Sequence, residues 1–312
     1  MTDRLIPIEQ AERASVVSTS GAAAAVGGAA AMFTEVQTPR KRLGAFFWVC
    51  AAWIGIVIVL AIVANLLPLI NPNAQNGAVN AGPNATNWLG TDDLGRDILS
   101  RVIFGARVSL VAGFGSILIA LALGGVTGMI AGYRRGTVDT IVNAGSYVLL
   151  AFPALVAVIA IVTFWGNQLW KITIIIGIAA APLVFRLVRA ATLSYSTRDF
   201  VVAARALGAT DTRILFKEIL PNIIPAILSF ALIGVATVIV LEGTLAFLGL
   251  SVPPPTASWG NMLNESRSYI TGSQINLSLL LSPAFALFSF LLALNLVGDR
   301  LRQHFDVTEV RL

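Results

Sequence analysis

Long apolar segments without charged side chains alternate along this chain with shorter polar connections. Six such blocks contain no Asp, Glu, Lys or Arg, and they cover residues 43–91, 108–133, 140–170, 172–185, 219–241 and 268–298. A helix needs about 20 mostly apolar residues to cross a hydrocarbon core roughly 30 Å thick, so each block holds one span and none comfortably holds two. The pattern therefore predicts an all-α polytopic membrane protein with six transmembrane helices.

Two of these spans have special features. The fourth block is short, and its helix reaches full length only if Arg186 and Arg189 lie at its end and extend their guanidinium groups into the headgroup region. In the third block, Pro153 predicts a kink. The composition agrees with a membrane protein, because 12% of the residues are charged against roughly 25% in soluble domains.

The positions of Lys and Arg predict the orientation in the membrane. With both termini in the cytoplasm, sixteen of the 21 basic residues fall in inner segments and five in outer segments. Inner loops of membrane proteins carry such an excess, so we predict an N-in/C-in topology. The sequence pI near 9.9 then reflects topology and contact with anionic membrane lipids. The basic residues are dispersed over several loops, so no nucleic-acid partner is expected.

These spans divide the chain into five regions. The Ala- and Gly-rich start lacks the large apolar residues needed for insertion, which predicts a mobile tail, and the first apolar block is too long for a cleaved signal. The predicted regions are a disordered cytoplasmic tail at 1–39, the first transmembrane helix at 40–70, an extracytoplasmic segment with a short helix at 71–106, a five-helix core at 107–298 with a cytoplasmic loop at 195–221 and an external loop at 250–277, and a cytoplasmic C-terminal tail at 299–312.

Catalytic motifs are missing from the sequence. It contains one histidine, His304, and one cysteine, Cys50, and it has no HExxH, CxxC or GxxxxGK[ST] pattern. The triplet Gly113-Phe114-Gly115 lies inside the second span, where small residues serve close helix packing. We therefore expect no catalytic residues, no metal site and no cofactor in this chain, and any ATP would be hydrolysed by another subunit.

A polar segment between the fourth and fifth spans forms a predicted helical elbow in the cytoplasm. Asp199 is placed to cap a first helix that ends at Gly208. A second short helix fits residues 211–220, and Pro221 is expected to interrupt its continuation into the fifth span. The apolar side of this second helix carries Ile214, Leu215 and Ile219. That side either fills a groove on a partner or lies on lipid headgroups, and periodicity does not separate the two uses.

The residues of this elbow resemble the coupling loop, or EAA loop, of permease subunits of ABC importers. The sequence FVVAARALGA followed by KEILPN is similar to the coupling loops of the dipeptide, oligopeptide and nickel branch of that superfamily. The motif usually has Glu where this chain has Val202, so an ion pair from that Glu is not carried over. The resemblance implies that the loop docks into an ATPase subunit through Ala203, Ala204, Arg205, Gly208, Ala209, Arg213, Phe216, Leu220 and Pro221.

The resemblance continues in order over residues 87–306. Four further segments are similar to successive segments of that branch: NWLGTDDLGRDILSRVIFGARVSL, AGYRRGTVD, LEGTLAFLGLSVPPPTASWGNML and NLVGDRLRQHFD. Within the branch, the C-type permease is the nearest match. It implies a type I ABC importer permease fold in a prokaryotic plasma membrane. It further implies a homologous second permease subunit, two ATPase subunits that carry ATP and Mg, and an extracytoplasmic solute-binding protein.

Charged residues cluster in the outer segment before the second span, at Asp92, Asp93, Arg96 and Asp97. They either pair locally, with Asp97 capping the next helix, or form part of a platform on which the binding protein docks. Trp259 follows three consecutive prolines in the external loop, and its ring suits either protein contact or the interfacial aromatic belt. The sequence leaves both pairs of alternatives open.

Glu242 is the most informative charge inside an apolar region. A carboxylate near the outer end of the fifth span is costly unless it is paired, hydrogen-bonded or hydrated, so we predict that it faces the subunit interface as part of the external gate or its support. Asn143, Ser146 and Tyr147 on the third span are candidates for the translocation path. The same three residues equally suit hydrogen bonds between helices.

Together these features predict the permease subunit of an ATP-driven importer, with half of the path for dipeptides or oligopeptides. Nickel chelates, glutathione-like peptides and haem remain alternative cargos, because selection rests largely on the binding protein. Two other classes of protein remain alternatives: an ion-coupled carrier and a structural scaffold. An ion-coupled carrier predicts acidic or histidine relays within spans and an inverted repeat, and Glu242 is the one candidate we find.

Overall fold

The computed structural model describes residues 44–267 and 277–306. The predicted tail at 1–39, the last six residues and part of the external loop lie outside this range. Nine helices make up the described part: α1 Ala45–Val63, α2 Ile98–Arg134, α3 Gly136–Ala151, α4 Ala154–Trp165, α5 Leu169–Tyr195, α6 Asp199–Ala206, α7 Asp211–Phe247, α8 Trp259–Glu265 and α9 Leu277–Asp306. Because this part contains no β-strand, the all-α prediction is confirmed.

Six membrane crossings follow from the lengths and contacts of these helices. Five of them, α1, α2, α5, α7 and α9, are long and apolar enough to span, and α3 and α4 meet at an 82° bend. At one end of this bent pair, Arg135 donates to Ser196 Oγ beyond the end of α5 (3.3 Å). At the other end, Asn167 donates to the Ser251 carbonyl beyond the end of α7 (2.9 Å). The pair therefore connects the two faces, and Pro153 lies at its bend as predicted.

Some helix boundaries differ from the predicted regions. The segment 71–106 has no separate short helix, because its residues from Ile98 onward belong to α2. Asp97 caps α2 as predicted, accepting a hydrogen bond from Ser100 N (2.8 Å). At the other end of the chain, residues 299–306 continue α9 instead of starting a separate tail.

Pro221 does not interrupt the fifth span, which corrects the prediction for the elbow. The helix runs without a break from Asp211 to Phe247. A π-helical segment, Ile214–Ile219, comes directly before Pro221, which lies in the first turn of the regular α-helix that follows. Proline lacks the N–H that a regular turn needs, and a local change to π-helical hydrogen bonding accommodates it. The second part of the elbow is therefore the start of the span itself.

A line of glycines brings α2 and α5 into backbone contact. Gly124, Gly128 and Gly132 recur every fourth residue on α2, and a Cβ atom on them would lie within 2.7 Å of carbonyl oxygens of α5. Side chains larger than hydrogen would push the two helices apart. Gly113 likewise packs against Ile239 of α7, so the predicted packing role of the Gly-Phe-Gly triplet is confirmed. The line of glycines therefore ties the inner half of α2 to α5, the helix that leads into the elbow.

Candidate functional site

The elbow comprises α6, the turn Leu207–Thr210 and α7 as far as Pro221. Gly208 adopts φ +80°, and the backbone N–H of Ala209 donates to the Ala204 carbonyl while that of Gly208 donates to the Arg205 carbonyl (both 3.0 Å). This is a Schellman motif, the helix end that the sequence predicts at Gly208. Asp199 is the first helical residue instead of the cap, because Arg198 occupies the cap position and makes no side-chain capping bond.

The apolar side of the elbow faces inward, which corrects both alternatives for it, a partner's groove and the lipid headgroups. Val201, Ile214 and Ile219 are fully buried and pack with Val184 and Val188 of α5 in one apolar cluster. Leu215 belongs to the same cluster. These residues hold the elbow on the end of the membrane domain, so the partner-facing surface must consist of other side chains.

A different set of small and apolar residues points outward. Val202, Ala203 and Ala206 share one side of α6 at helical spacing, and all three are exposed. Leu207, at the turn, is 89% exposed. We call these four residues the tip. Leu207 and Val202, which is 54% exposed, give the tip a small apolar surface.

A polar cluster fixes the tip relative to the inner end of α2. The Tyr133 hydroxyl donates to Asp211 Oδ1 (2.8 Å), and Arg205 Nη2 donates to the same hydroxyl oxygen (3.2 Å). The Arg205 guanidinium also lies 5.7 Å from the centroid of the Tyr133 ring. The hydrogen bond to Tyr133 raises the pKa of Arg205 above its ordinary value. Tyr133 thus connects α2, α6 and α7 at one point.

The predicted coupling residues divide into two groups by exposure. Half-buried positions, which form the inner side of the turn, are Ala204, Ala209 and Leu220. Exposed positions are Ala203, Arg205, Gly208, Arg213, Phe216 and Pro221. Leu207 was not among the predicted contacts, and its place directly before the helix-ending glycine is the signal that could have identified it.

On the outer side, residues 92–101 and 251–265 form a second structured region, which we call the external platform. Asp92 binds Arg96 Nε through Oδ2 (2.6 Å) and lies 3.4 Å from Arg101 Nε. Arg101 Nη2 in turn binds Glu265 Oε2 (2.8 Å). Asp92 and Arg101 are both fully buried. The predicted local pairing is therefore confirmed, and it extends to α8, which the sequence did not indicate.

Burial changes the interpretation of the predicted docking residues. Asp92, Arg96 and Asp97 are buried, whereas the Asp93 side chain remains 36% exposed. Trp259 is 1% exposed, so it neither contacts a docked protein nor lies in the aromatic belt. Its indole N–H donates to the Val102 carbonyl (3.0 Å). The adjacent Gly260 approaches Gly243 of α7 closely, and the Trp259 ring packs in the core with its centroid 5.7 Å from that of Phe290.

Glu265 is the acceptor that joins the two parts of the platform. Burial raises the pKa of its carboxyl group, and the nearby guanidinium groups of Arg101 and Arg96 oppose that shift. Arg96 Nη2 is 3.4 Å from the same Oε2 atom that binds Arg101. One carboxylate oxygen therefore bridges two buried cations.

Glu242 lies inside the chain, and the prediction that it faces a subunit interface is wrong. It is 1% exposed. Its Oε1 accepts hydrogen bonds from Ser251 Oγ (2.6 Å) and Ser258 Oγ (3.0 Å), and its Oε2 accepts one from Ser109 Oγ (3.4 Å). Three hydroxyl donors replace the water or cation that a carboxylate at this depth needs. The network joins α2, α7 and the cap of α8.

The three path candidates on α3 lie in different environments. Tyr147 is 57% exposed, and the Arg186 guanidinium lies 4.8 Å from its ring centroid. Asn143 is half-buried. Ser146 is buried, and within the described residues its hydroxyl has no hydrogen-bond partner. These three residues form no shared polar site.

One ion pair near the inner end of the membrane domain was missed by the sequence prediction. Arg189 of α5 binds Asp139 of α3 through both carboxylate oxygens, with 2.6 Å between Nη2 and Oδ2. Arg189 is therefore paired within the chain, whereas the prediction directed it to the headgroups. The two residues are 50 positions apart, so no local pattern reveals the pair. Within the part of the chain that the structure describes, no three His, Cys, Asp or Glu side chains group together as metal ligands.

Comparison with known proteins gives relatives along most of the sequence. The chain is 37% identical over 284 residues to the glutathione transport system permease protein GsiD of Pectobacterium atrosepticum, covering 87% of this chain and 92% of that protein. It is 37% identical over 261 residues to the dipeptide transport system permease protein DppC of Alkalihalophilus pseudofirmus, covering 82% and 85%. Both alignments extend well beyond the elbow.

Solved structures show the same fold at lower sequence identity. An inward-facing structure of the MetNI methionine ABC transporter superposes with a TM-score of 0.54 and 19% identity, over 69% of this chain and 98% of that chain. Residues 124–307 match the family described as binding-protein-dependent transport system inner membrane component. With its apolar spans and type I permease fold, the chain belongs to that family and is a multi-pass inner-membrane permease subunit of an ABC transporter.

Proposed function

We propose that this permease subunit forms half of an import path for short peptides and is driven through its elbow by ATPase subunits. The exposed tip on a buried apolar base carries the proposal. Leu207 projects into water, while Ile214 and Ile219 fix the base of the elbow in the membrane domain. A partner that holds the tip therefore moves the helices beneath it.

The continuity of α7 supports this role. The helix comprises 37 residues from the elbow to Phe247, which corresponds to about 55 Å at 1.5 Å per residue. Glu242, near its outer end, binds the cap residue of α8 through Ser258. A displacement applied at the elbow then reaches the external platform through one unbroken helix and one hydrogen-bonded network. The chain itself acts as a non-catalytic transport component, and in this proposal ATP and Mg bind to its partners.

The proposal includes a second, homologous permease and an extracytoplasmic binding protein. Support for the second permease comes from α3, α4 and the bend between them, where exposed apolar side chains include Ile141, Val148, Phe152 and Phe164. The path residues Tyr147 and Asn143 lie on the same bent span. On the outer side, Asp93 and the exposed Trp88 and Leu94 replace the buried docking candidates as the surface available to a binding protein.

Short peptides, including glutathione, are the proposed cargo. Relatives aligned over 82–87% of this chain are named for transport of glutathione, dipeptides and peptides. Nickel chelates and haem, which the sequence left open, find no support in these names and become outcomes of the cargo test. An ion-coupled carrier is not favoured, because Glu242 is fully engaged by three serine hydroxyls.

Site-directed crosslinking tests the elbow. A Cys50→Ser background removes the one native cysteine, and Leu207→Cys then places a thiol on the tip. In native membranes containing the whole transporter, we expect Leu207→Cys to crosslink to an ATPase subunit, and Trp88→Cys on the outer side serves as the negative control. Crosslinking of Leu207→Cys to lipid-directed reagents alone, with none to an ATPase, would show that the elbow is a headgroup-bound surface helix.

Cargo is tested at the binding protein and then in vesicles. The purified solute-binding partner is titrated with dipeptides, glutathione, a nickel chelate and haem, and the bound compounds are followed for uptake into proteoliposomes holding the full assembly and ATP. We expect saturable uptake of a peptide. A partner that retains a metal chelate or haem and ignores every peptide would refute the peptide assignment while leaving the elbow's role intact.

A further inference from the structure

An apolar groove lies between α1 and α2, and the function proposed above does not use it. Its volume is about 690 Å³, and its wall is apolar except for one arginine. The lining residues are Ile58, Ala61, Ile62, Arg107, Leu110, Val111, Phe114 and Gly115. Both helices are long and apolar enough to span a membrane, so the groove lies at the level of the hydrocarbon chains.

Arg107 is a cation without an anionic partner. Its Nε donates to the Ala61 carbonyl (2.9 Å), its Nη2 to the Ile62 carbonyl (3.1 Å) and its Nη1 to Asn65 Oδ1 (3.4 Å). All three acceptors are neutral, and two of the five guanidinium N–H groups have no acceptor among them. Among residues 44–267 and 277–306, no carboxylate forms an ion pair with Arg107. Its positive charge is thus available to an anion at the groove.

The depth of Arg107 matches that of lipid phosphates. Helix α1 has 19 residues, about 28 Å of helix, which equals the thickness of the hydrocarbon core. Arg107 binds the last carbonyls of α1, so it lies at the outer boundary of the hydrocarbon. Phe114 and Gly115 lie about two turns, roughly 12 Å, further along α2 toward the membrane centre. The groove therefore begins at a headgroup level and continues into the acyl-chain region.

We propose that this groove binds one phospholipid of the outer leaflet. An acyl chain lies along Val111 and Phe114, and phosphodiester oxygens accept hydrogen bonds from the free N–H groups of Arg107. The apolar wall matches the acyl chain, and the uncompensated guanidinium matches the phosphate. Both glycerol- and ethanolamine-headed lipids fit, because the contact is with the phosphodiester that they share.

Native mass spectrometry of the purified transporter with added lipid tests the proposal. Three probes separate the contributions: phosphatidylglycerol, phosphatidylethanolamine and diacylglycerol with the same acyl chains. We expect one saturable site for the two phospholipids. Diacylglycerol should bind at least about tenfold more weakly than either phospholipid, because it cannot make the charge-assisted hydrogen bond to Arg107. Arg107→Gln should weaken both phospholipids about tenfold and leave diacylglycerol unchanged. Equal binding of diacylglycerol and phospholipid would overturn the proposal.

A second variant keeps the test valid if Arg107→Gln destabilises the end of α1. Val111→Trp fills the groove, leaves Arg107 in place and should reduce binding of all three probes. Leu118→Trp, on an exposed position of α2 outside the groove, and Lys171→Gln, at the outer end of α5, are the matched controls and should bind as wild type. A phospholipid with a photoreactive acyl chain should label residues 110–115 in the wild type. Labelling elsewhere, or full binding to Val111→Trp, would refute the site.

Discussion

The elbow and the external platform are built on opposite principles. The elbow is attached by buried aliphatic side chains such as Ile214 and Ile219, and its polar contacts at Tyr133 lie on the surface. The platform buries its charges, with Asp92 and Arg101 fully enclosed. Buried ion pairs fix geometry because losing one partner leaves an uncompensated charge. The comparison indicates an outer region that is held as one rigid unit and an inner region that presents a contact surface.

Removing Asp92 should have the largest effect on this protein. Asp92→Ala leaves the buried Arg101 with Glu265 as its remaining close carboxylate, while Arg96 keeps Glu265 and the more distant Asp93. We expect a loss of about 3–5 kcal/mol in the free energy of unfolding, as for other broken buried pairs. The midpoint of thermal denaturation of the purified chain in detergent measures this change.

Asp93→Ala is the matched control for Asp92. The Asp93 carboxylate is 3.7 Å from Arg96 and its side chain is 36% exposed, so its removal should cost less than about 1 kcal/mol. Equal destabilisation by the two substitutions would show that burial of the ion pairs does not determine the stability of the platform.

Glu242 tests whether the platform is attached to the fifth span. Glu242→Ala leaves three serine hydroxyls without their acceptor, and we expect a loss of about 1–3 kcal/mol. Glu242→Gln retains an oxygen for Ser251 and Ser258 and should lose less than half as much. Limited proteolysis of the external loop, together with thermal denaturation, measures the effect. If the Gln and Ala variants behave alike, the hydrogen bonds to Glu242 do not hold α8.

Gly208 tests the turn of the elbow. Its φ of +80° is unfavourable for residues with a Cβ atom, and open space surrounds it, so strain and not a clash limits substitution. Gly208→Val should cost about 1–2 kcal/mol locally and abolish transport-coupled ATP turnover while membrane insertion persists. Gly208→Asn, which tolerates this conformation, should retain most of the activity. Normal cargo-stimulated turnover in Gly208→Val would contradict the coupling role.

The apolar blocks of the sequence predict where the spans lie but not where their helices begin. Helix α2 begins at Ile98, whereas its charge-free block begins at residue 108. The helix extends outward beyond the apolar block, and this extension buries Arg101 because Glu265, 164 residues away, pairs with it. A pattern that counts local charges cannot contain such a pair. In contrast, the bend at Pro153 and the turn at Gly208 were predictable, because each depends on the backbone of a single residue.

Among the functional residues, too, the features that depend on local sequence were predictable and those that depend on tertiary contacts were not. The sequence located the elbow, since its spacing and glycine are local features, but it left Ile214 and Ile219 to a partner's groove or to lipid headgroups, whereas they pack inside. Hydrophobic periodicity identifies a buried face without indicating which surface buries it. Glu242 was correctly recognised as a carboxylate that needs partners, yet Ser109, Ser251 and Ser258 come from three separate segments. The partners of buried polar groups are determined by tertiary structure.

Tyr133 provides the smallest expected effect and the most specific comparison between the two regions. Tyr133→Phe removes the hydrogen bonds to Asp211 and Arg205 but keeps the ring, and because these contacts are exposed we expect a loss of about 0.5–1 kcal/mol. Helix α6 should then be held less firmly in one orientation, so Leu207→Cys crosslinking to an ATPase should become slower in this background. Phe200→Leu, at an exposed position of α6 with no hydroxyl to lose, is the control. Unchanged crosslinking in Tyr133→Phe would mean that the buried aliphatic base alone orients the tip, and the surface polar contacts would then have no part in coupling.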